Sequence, residues 1–315
     1  MLTHLLLALV PLAPAAKYPD LPTAVSSFGA AVVGDHVYVY GGHAGKAHSY
    51  STETTCGEFR RLILKQPTKW EELPAGPKLQ GLALVAHNGK VIRVGGMQPQ
   101  NSKTEKTDIR SQTGVASFDP ATGRWTDLPA LPDPRSSHDA VVVGDTLYVF
   151  GGWTLTGNNK GTWLDHGLLL DLSSPGAKWE KVKQPFQRRA LTTAVYDGKV
   201  YVVGGLKSDG ISKGVDVFDP KSGEWATGPE LPGEGMNGFT PASASAADGG
   251  RLYLTPRDGT MLRLSDTKDR WEEIGKLAQA RFVARMVAGP DKTLVVIAGA
   301  SPGGMLASVE SIPLR

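Results

Sequence analysis

Three arginines hold one place in a recurring pattern. Arg135 and Arg188 each stand thirteen residues before a tyrosine, Tyr148 and Tyr201, and Arg281, allowing one inserted residue, takes the corresponding place further on. A guanidinium presents a planar fork of donors that grips a carboxylate, phosphate or sulfate through two parallel hydrogen bonds, so three converging forks would form an anion site. Arg189 and Arg285 add positive charge close by. The same fork also pairs with a carboxylate or backbone carbonyl of a neighbouring element, in which case the repetition is architectural. His138 follows Arg135 by three residues. Because Ser136, Ser137, His138 and Asp139 are contiguous at the start of an expected strand, their side chains alternate in direction and form no nucleophilic triad. The expectation is a buried, hydrogen-bonded histidine beside the anion site. Trp153 and Trp163 offer a flat wall for a sugar ring or peptide, or else pack a long loop. The candidate ligand-binding residues are therefore Arg135, Arg188, Arg281, His138 and Trp153. His43, His48 and the pair Asp165 and His166 could move protons near neutral pH, but no motif marks a catalytic residue among them.

Composition narrows what could position these groups. The 315 residues carry 34 Lys and Arg against 31 Asp and Glu, and a net charge of +3 is too small a field to recruit nucleic acid or an anionic membrane surface. With 38 Gly and 22 Pro, short strands joined by turns suit the chain better than long helices. Cys56, the single cysteine, closes no intramolecular disulfide. There is no zinc-type spacing, phosphate-cradling glycine loop or nucleophile elbow, so neither a metal nor a cofactor is expected. Residues 5–14 form a short apolar run ending among small residues at 13–16, which reads as a signal peptide over 1–16 and a secreted or periplasmic protein. That run is too short and too proline-broken to span a bilayer, and no other segment could.

The chain repeats. Gly41-Gly42, Gly95-Gly96, Gly151-Gly152 and Gly204-Gly205 each follow an apolar strand, and Trp70, Trp125, Trp179, Trp225 and Trp271 recur in phase with them. Each unit reads as strand, tight turn, strand, Gly-Gly, variable loop, strand, turn, Trp strand. The tight turns carry Gly34-Asp35, Asn88-Gly89, Gly144-Asp145 and Asp197-Gly198, dipeptides that reach positive φ cheaply. Two further units keep less of the pattern, RLYLTP at 251–256 and TLVVIAGA at 293–300, the latter with only Gly299. The last unit has no Trp strand after residue 314. Tyr18-Pro19-Asp20-Leu21-Pro22 matches the spacing of Trp125-Thr126-Asp127-Leu128-Pro129, which predicts that the N-terminus supplies the missing outer strand.

Gly-Gly followed by Trp at a period near 50 resembles the kelch repeat, over residues 17–315. The resemblance implies an all-β, six-bladed β-propeller with four antiparallel strands per blade, closed by an N-terminal strand. It also places the loops after Gly-Gly on one face, around a central channel. The 97–114 loop is polar and reads as solvated surface. The function expected is a monomeric binding module whose partner is a protein or an acidic glycan, held at one mouth of the channel. A second reading takes the chain as similar to exported kelch-type mutarotases of acidic sugars such as sialic acid. That chemistry needs an acid and base at the ring oxygen, for which Glu105, Asp209 or Glu234 could serve.

Overall fold

The computed structural model describes residues 17–158, 160–245 and 250–314, and all regular structure among them is β. The expected signal peptide, residues 1–16, lies outside the described residues. Six antiparallel sheets follow one another along the chain, five of four strands and a sixth of three. Their first strands are Gly29–Val33, Ala83–His87, Asp139–Val143, Thr192–Tyr196, Ala242–Ser245 and Arg285–Ala288, and we number the sheets 1 to 6 by them. Within each sheet the strands pair in sequence order, because the turns between them are tight. Asn88 and Gly89 take φ of 45° and 75°, Asp197 and Gly198 of 51° and 69°, which sets registers such as His87 opposite Lys90 and Tyr196 opposite Lys199.

The repeated residues act at the seams between sheets. Each repeated indole donates to a backbone carbonyl 42 to 51 residues earlier: Trp70 to Pro19, Trp125 to Pro74, Trp179 to Pro129, Trp225 to Lys183 and Trp271 to Pro229. The first glycine of each pair faces the following sheet. A Cβ at Gly41 would stand 2.4 Å from the Leu79 carbonyl oxygen, and one at Gly151 would stand 2.6 Å from that of Arg188. Any side chain would push the sheets apart. In sheet 6, Ala298 adopts φ of 47° in the first glycine's place, and Gly299 donates to Val25 O across the same kind of seam at 2.9 Å.

The first strand of each sheet contacts that of the next, and the first strand of sheet 6 contacts that of sheet 1. Residues 17–25 pack along the third strand of sheet 6, Gly304–Pro313. Leu21 N donates to Ala307 O at 2.9 Å, and Tyr18, Leu21 and Val25 are buried with Val295, Ile297 and Trp70. This segment takes no regular strand geometry, and its register differs from the expected one by three residues. Leu21, donating to Ala307, plays the part that Leu131 plays in donating to Thr113 O, and Pro19 accepts from Trp70 as Pro129 does from Trp179. Tyr18 thus takes the place of Leu128 rather than Trp125. The position matching Trp125 is then residue 15, outside the described residues.

Candidate functional site

The three repeated arginines occupy equivalent places, as expected, and do not meet. Each is buried and turned into its own sheet. Arg135 Nη1 donates to Gly151 O at 2.9 Å and His166 O at 3.1 Å. Arg188 Nη1 donates to Gly214 O at 2.9 Å and its Nη2 pairs with Asp216. Arg281 Nη1 donates to Ser308 O at 2.8 Å and its Nη2 pairs with Glu310. In each case the fork pins the third strand, at its start in sheets 3 and 4 and at mid-strand in sheet 6, to the turn before the first. Sheet 3 has Leu168 where sheets 4 and 6 carry Asp216 and Glu310, so Nη2 of Arg135 is left without a partner among the described residues. Burial lowers all three guanidinium pKa values, that of Arg135 to about 10. None of the three lines the main cavity.

That cavity, about 970 Å³, opens where the chain turns into the six first strands. On its floor are Ser27, Gly81, Ser137, Ala190, Thr240 and Val283, which share one left-handed conformation with φ between 46° and 60°. Five of the six are not glycine, a cost of order 1 to 3 kcal/mol each that the surroundings must hold in place. They are held by one another. The amide of Gly81 donates to Ser27 O, Ser137 to Gly81 O, Ala190 to Ser137 O and Thr240 to Ala190 O, at 2.7 to 3.0 Å. Val283 N donates to Thr240 Oγ1 at 3.0 Å, and Ser27 N to Val283 O at 3.4 Å, which returns the series to its start.

Side chains from opposite sheets cross this floor. Arg285 of sheet 6 donates to Asp139 of sheet 3 at 3.0 Å, to Phe28 O at 3.1 Å and to Leu82 O at 3.3 Å. Asp139 also accepts Thr193 N of sheet 4 at 2.8 Å, so the Arg285 charge is spent internally. His138 stands beside this bridge, fully enclosed, with neither ring nitrogen hydrogen-bonded among the described residues. Burial first, then the Arg135 and Arg285 charges, push its pKa down to about 3, so the ring is neutral. The expected buried histidine is present; its expected hydrogen bond is not.

Two other guanidiniums are differently placed. Arg189 lies over Trp153 at 3.9 Å and Trp163 at 5.5 Å, and Arg257 lies over Phe282 at 3.9 Å. Among the described residues neither makes a hydrogen bond or ion pair, and no Asp or Glu lines the cavity they face. Burial lowers the Arg189 pKa, and nothing offsets it with a carboxylate. Beside them Trp153 Nε1 is buried and unpartnered. His43 Nε2 meets Lys46 O at 2.9 Å; a carbonyl only accepts, so Nε2 carries the proton and the buried, unpartnered Nδ1 is an acceptor. Burial holds the His43 pKa down as well.

Of the five expected site residues, His138 and Trp153 line this cavity and the three arginines do not. Arg257 carried no sequence signal, since it lies in a short turn of the sheet that lost its Gly-Gly. The nominated acids are elsewhere: Glu105 accepts Ser102 N, Asp209 pairs with Lys207, and neither they nor Glu234 reaches the cavity. His166 lies between Asp133 and Asp165, at 3.2 and 3.0 Å, outside the cavity. The 97–114 loop is more ordered than expected. It forms strands Met97–Pro99 and Ile109–Ser111, pairs with Thr156–Gly157 and buries Met97 and Ile109 against Leu155, leaving residues 103–107 exposed.

With this geometry, comparison with known proteins is direct. The family described as the KLHDC2/KLHL20/DRC7 Kelch-repeats domain matches residues 14–152 and 81–299. The chain belongs to the kelch-repeat family. It is 32% identical over 179 residues to the N-acetylneuraminate epimerase of Pasteurella multocida, covering 55% of this chain and 41% of that protein. It is 27% identical over 278 residues to the N-acetylneuraminate epimerase of Haemophilus influenzae, covering 75% and 69%. It is 29% identical to the Kelch-like protein terF of Aspergillus terreus over 63% of this chain and 43% of that one, so the match spans less than half of two of these relatives. The solved structure of YjhT superposes with a TM-score of 0.75 at 17% identity, covering 95% of this kelch chain and 97% of the other, a likeness of fold.

Proposed function

We propose that this kelch protein is a six-bladed propeller that binds an acidic glycan at one mouth of its channel. Each of the six sheets is a blade, and residues 17–25 close the last blade on the first. The protein is exported as a monomer, with residues 1–16 as its signal. The closing contacts of Pro19, Leu21 and Val25 all lie beyond residue 16, so loss of a signal leaves them intact.

One observation carries the binding reading: Arg189 and Arg257 face a cavity that holds no carboxylate, and neither has an acceptor among the described residues. Half-buried cations without counter-charge favour an anionic ligand, and Trp153, which lines the same cavity, offers an indole face to a sugar ring. Relatives named N-acetylneuraminate epimerase make that sugar acid the first probe. Calorimetric titration is expected to give saturable binding of N-acetylneuraminate and none of an uncharged hexose. Equal response to both rejects the reading.

A second reading, mutarotation of the same acid, is favoured by the relatives named N-acetylneuraminate epimerase. Opening the ring needs a base that takes the anomeric hydroxyl proton and an acid that protonates the ring oxygen, and His43, although it lines the cavity, keeps its Nδ1 enclosed. His138, held near 3, is too weak a base for that step. Proton NMR of freshly dissolved sugar decides: an anomerisation rate at background leaves a binder only.

A further inference from the structure

The mouth is not symmetric around its six sheets. On the side of sheets 1 to 3 the loops after the second strands are long and interlocked. Thr52 N donates to Asn101 O at 2.9 Å, Asn101 Nδ2 to Tyr50 O at 2.9 Å, and Ile109–Ser111 pairs with Thr156–Gly157. These loops close that side into a wall, with Arg189 and Trp153 beneath it. On the side of sheets 4 to 6 the corresponding connections are small turns, Leu206–Lys207 with Gly210–Ile211, residues 256–259, and residues 302–303. The rim there is apolar: Phe239 and Phe282 lie 6.0 Å apart under Arg257, and Met236 is 42% exposed. An exposed methionine beside a ring pair at the lip of a cavity is surface available for contact. The volume, about 970 Å³, sits at the upper end of the roughly 300–1,000 Å³ of ordinary ligand sites, far more than one sugar ring fills.

We infer that the site holds the acidic end of an oligosaccharide rather than a free acidic monosaccharide. The terminal acidic ring lies under the wall against Arg189, and the following rings leave across Phe239, Phe282 and Met236, with Arg257 over the exit. The inference rests on the anion-binding reading above, and adds direction and length to it. A wall on one side forces a chain to exit on the other, and an apolar lip matches the carbon-bearing face of a sugar ring.

The test compares N-acetylneuraminate with a neutral-core trisaccharide that ends in it, and with an acidic hexapeptide, by calorimetry on the full chain. The trisaccharide is expected to bind at least tenfold more tightly than the monosaccharide, with a change in Trp fluorescence from the Trp153 and Trp163 pair. In Met236→Asp the ratio of the two affinities is expected to fall towards one. Equal affinities with the monosaccharide bound overturn the inference and leave the anion-binding reading standing. Binding of neither sugar overturns both, and a peptide that binds more tightly than the trisaccharide overturns the glycan assignment.

Discussion

Arg188 and Arg189 are neighbours in the chain and opposites in use. Arg188 turns into sheet 4, where Gly214 O, Ser212 Oγ and Asp216 take its Nη donors; Arg189 turns into the mouth and lies on two indoles, with no acceptor among the described residues. The place of Arg188 is shared by Arg135 and Arg281, whereas the place of Arg189 is held by Ser26, Gln80, Ser136 and Phe282 in other sheets. What recurs from sheet to sheet serves what every sheet needs, namely a pinned third strand. What departs from the repeat is released from that task and, in the function proposed above, serves the ligand. The sharpest way to break this contrast is Arg281→Met. It leaves Glu310 enclosed beside an apolar chain, and is expected to cost about 3–5 kcal/mol of unfolding free energy in urea titration. Arg189→Met is expected to cost less than about 1 kcal/mol in the same measurement. Equal losses would mean that both arginines are structural.

The reverse assay sharpens the comparison. A charge-assisted hydrogen bond contributes about 1.5–3 kcal/mol, so Arg189→Met is expected to weaken binding of N-acetylneuraminate roughly 10- to 150-fold by calorimetry. An unchanged affinity would move the anion away from Arg189.

The next effect in size belongs to His138, enclosed on the same floor. Its imidazole titrates near 6.5 in the unfolded chain and only near 3 in the folded one. Between those values the unfolded state binds the extra proton. Stability is therefore full above about pH 6.5 and falls as pH drops, by about 1.4 kcal/mol per pH unit. His138→Phe, which installs the residue that Phe28 provides in the corresponding place of sheet 1, is expected to flatten that slope by one proton between pH 6.5 and 4. An unaltered slope would show that His138 is not the group that titrates.

Much of the architecture was legible because it is spelled in residues with few alternatives. Gly-Gly and Trp mark seams where only a missing side chain or a large one with an N–H fits, and the turn dipeptides mark positive φ. The arginines misled because the sequence shows a donor and not its acceptor. A signal was nevertheless present: Asp216 and Glu310 follow Arg188 and Arg281 by 28 and 29 residues and foretell internal pairing. The left-handed floor was invisible, since Ser27, Ala190, Thr240 and Val283 have no preference for that conformation and adopt it because their amides reach the next sheet. The cavity itself depends on which loops interlock, and spacing along the chain does not encode that.

The smallest expected effect tests the seam between the two ends of the chain. Trp70 donates to Pro19 at 3.1 Å exactly as other repeated indoles donate within the continuous chain, as Trp179 does to Pro129 at 2.8 Å. Replacing either by Phe removes one hydrogen bond and keeps most of the ring, at about 1 kcal/mol. The consequences should still differ. At Trp179 both partners are held by chain on either side. At Trp70 the acceptor belongs to a terminal segment whose other ties are Tyr18 Oη to Leu64 O, Leu21 N to Ala307 O, Val25 N to Leu306 O, Gly299 N to Val25 O and the burial of Tyr18, Leu21 and Val25. Trp70→Phe is therefore expected to speed proteolysis between residues 17 and 25 severalfold in limited digestion, and Trp179→Phe to leave that segment protected. If both variants cut alike, the N-terminal segment is not what closes the last sheet onto the first.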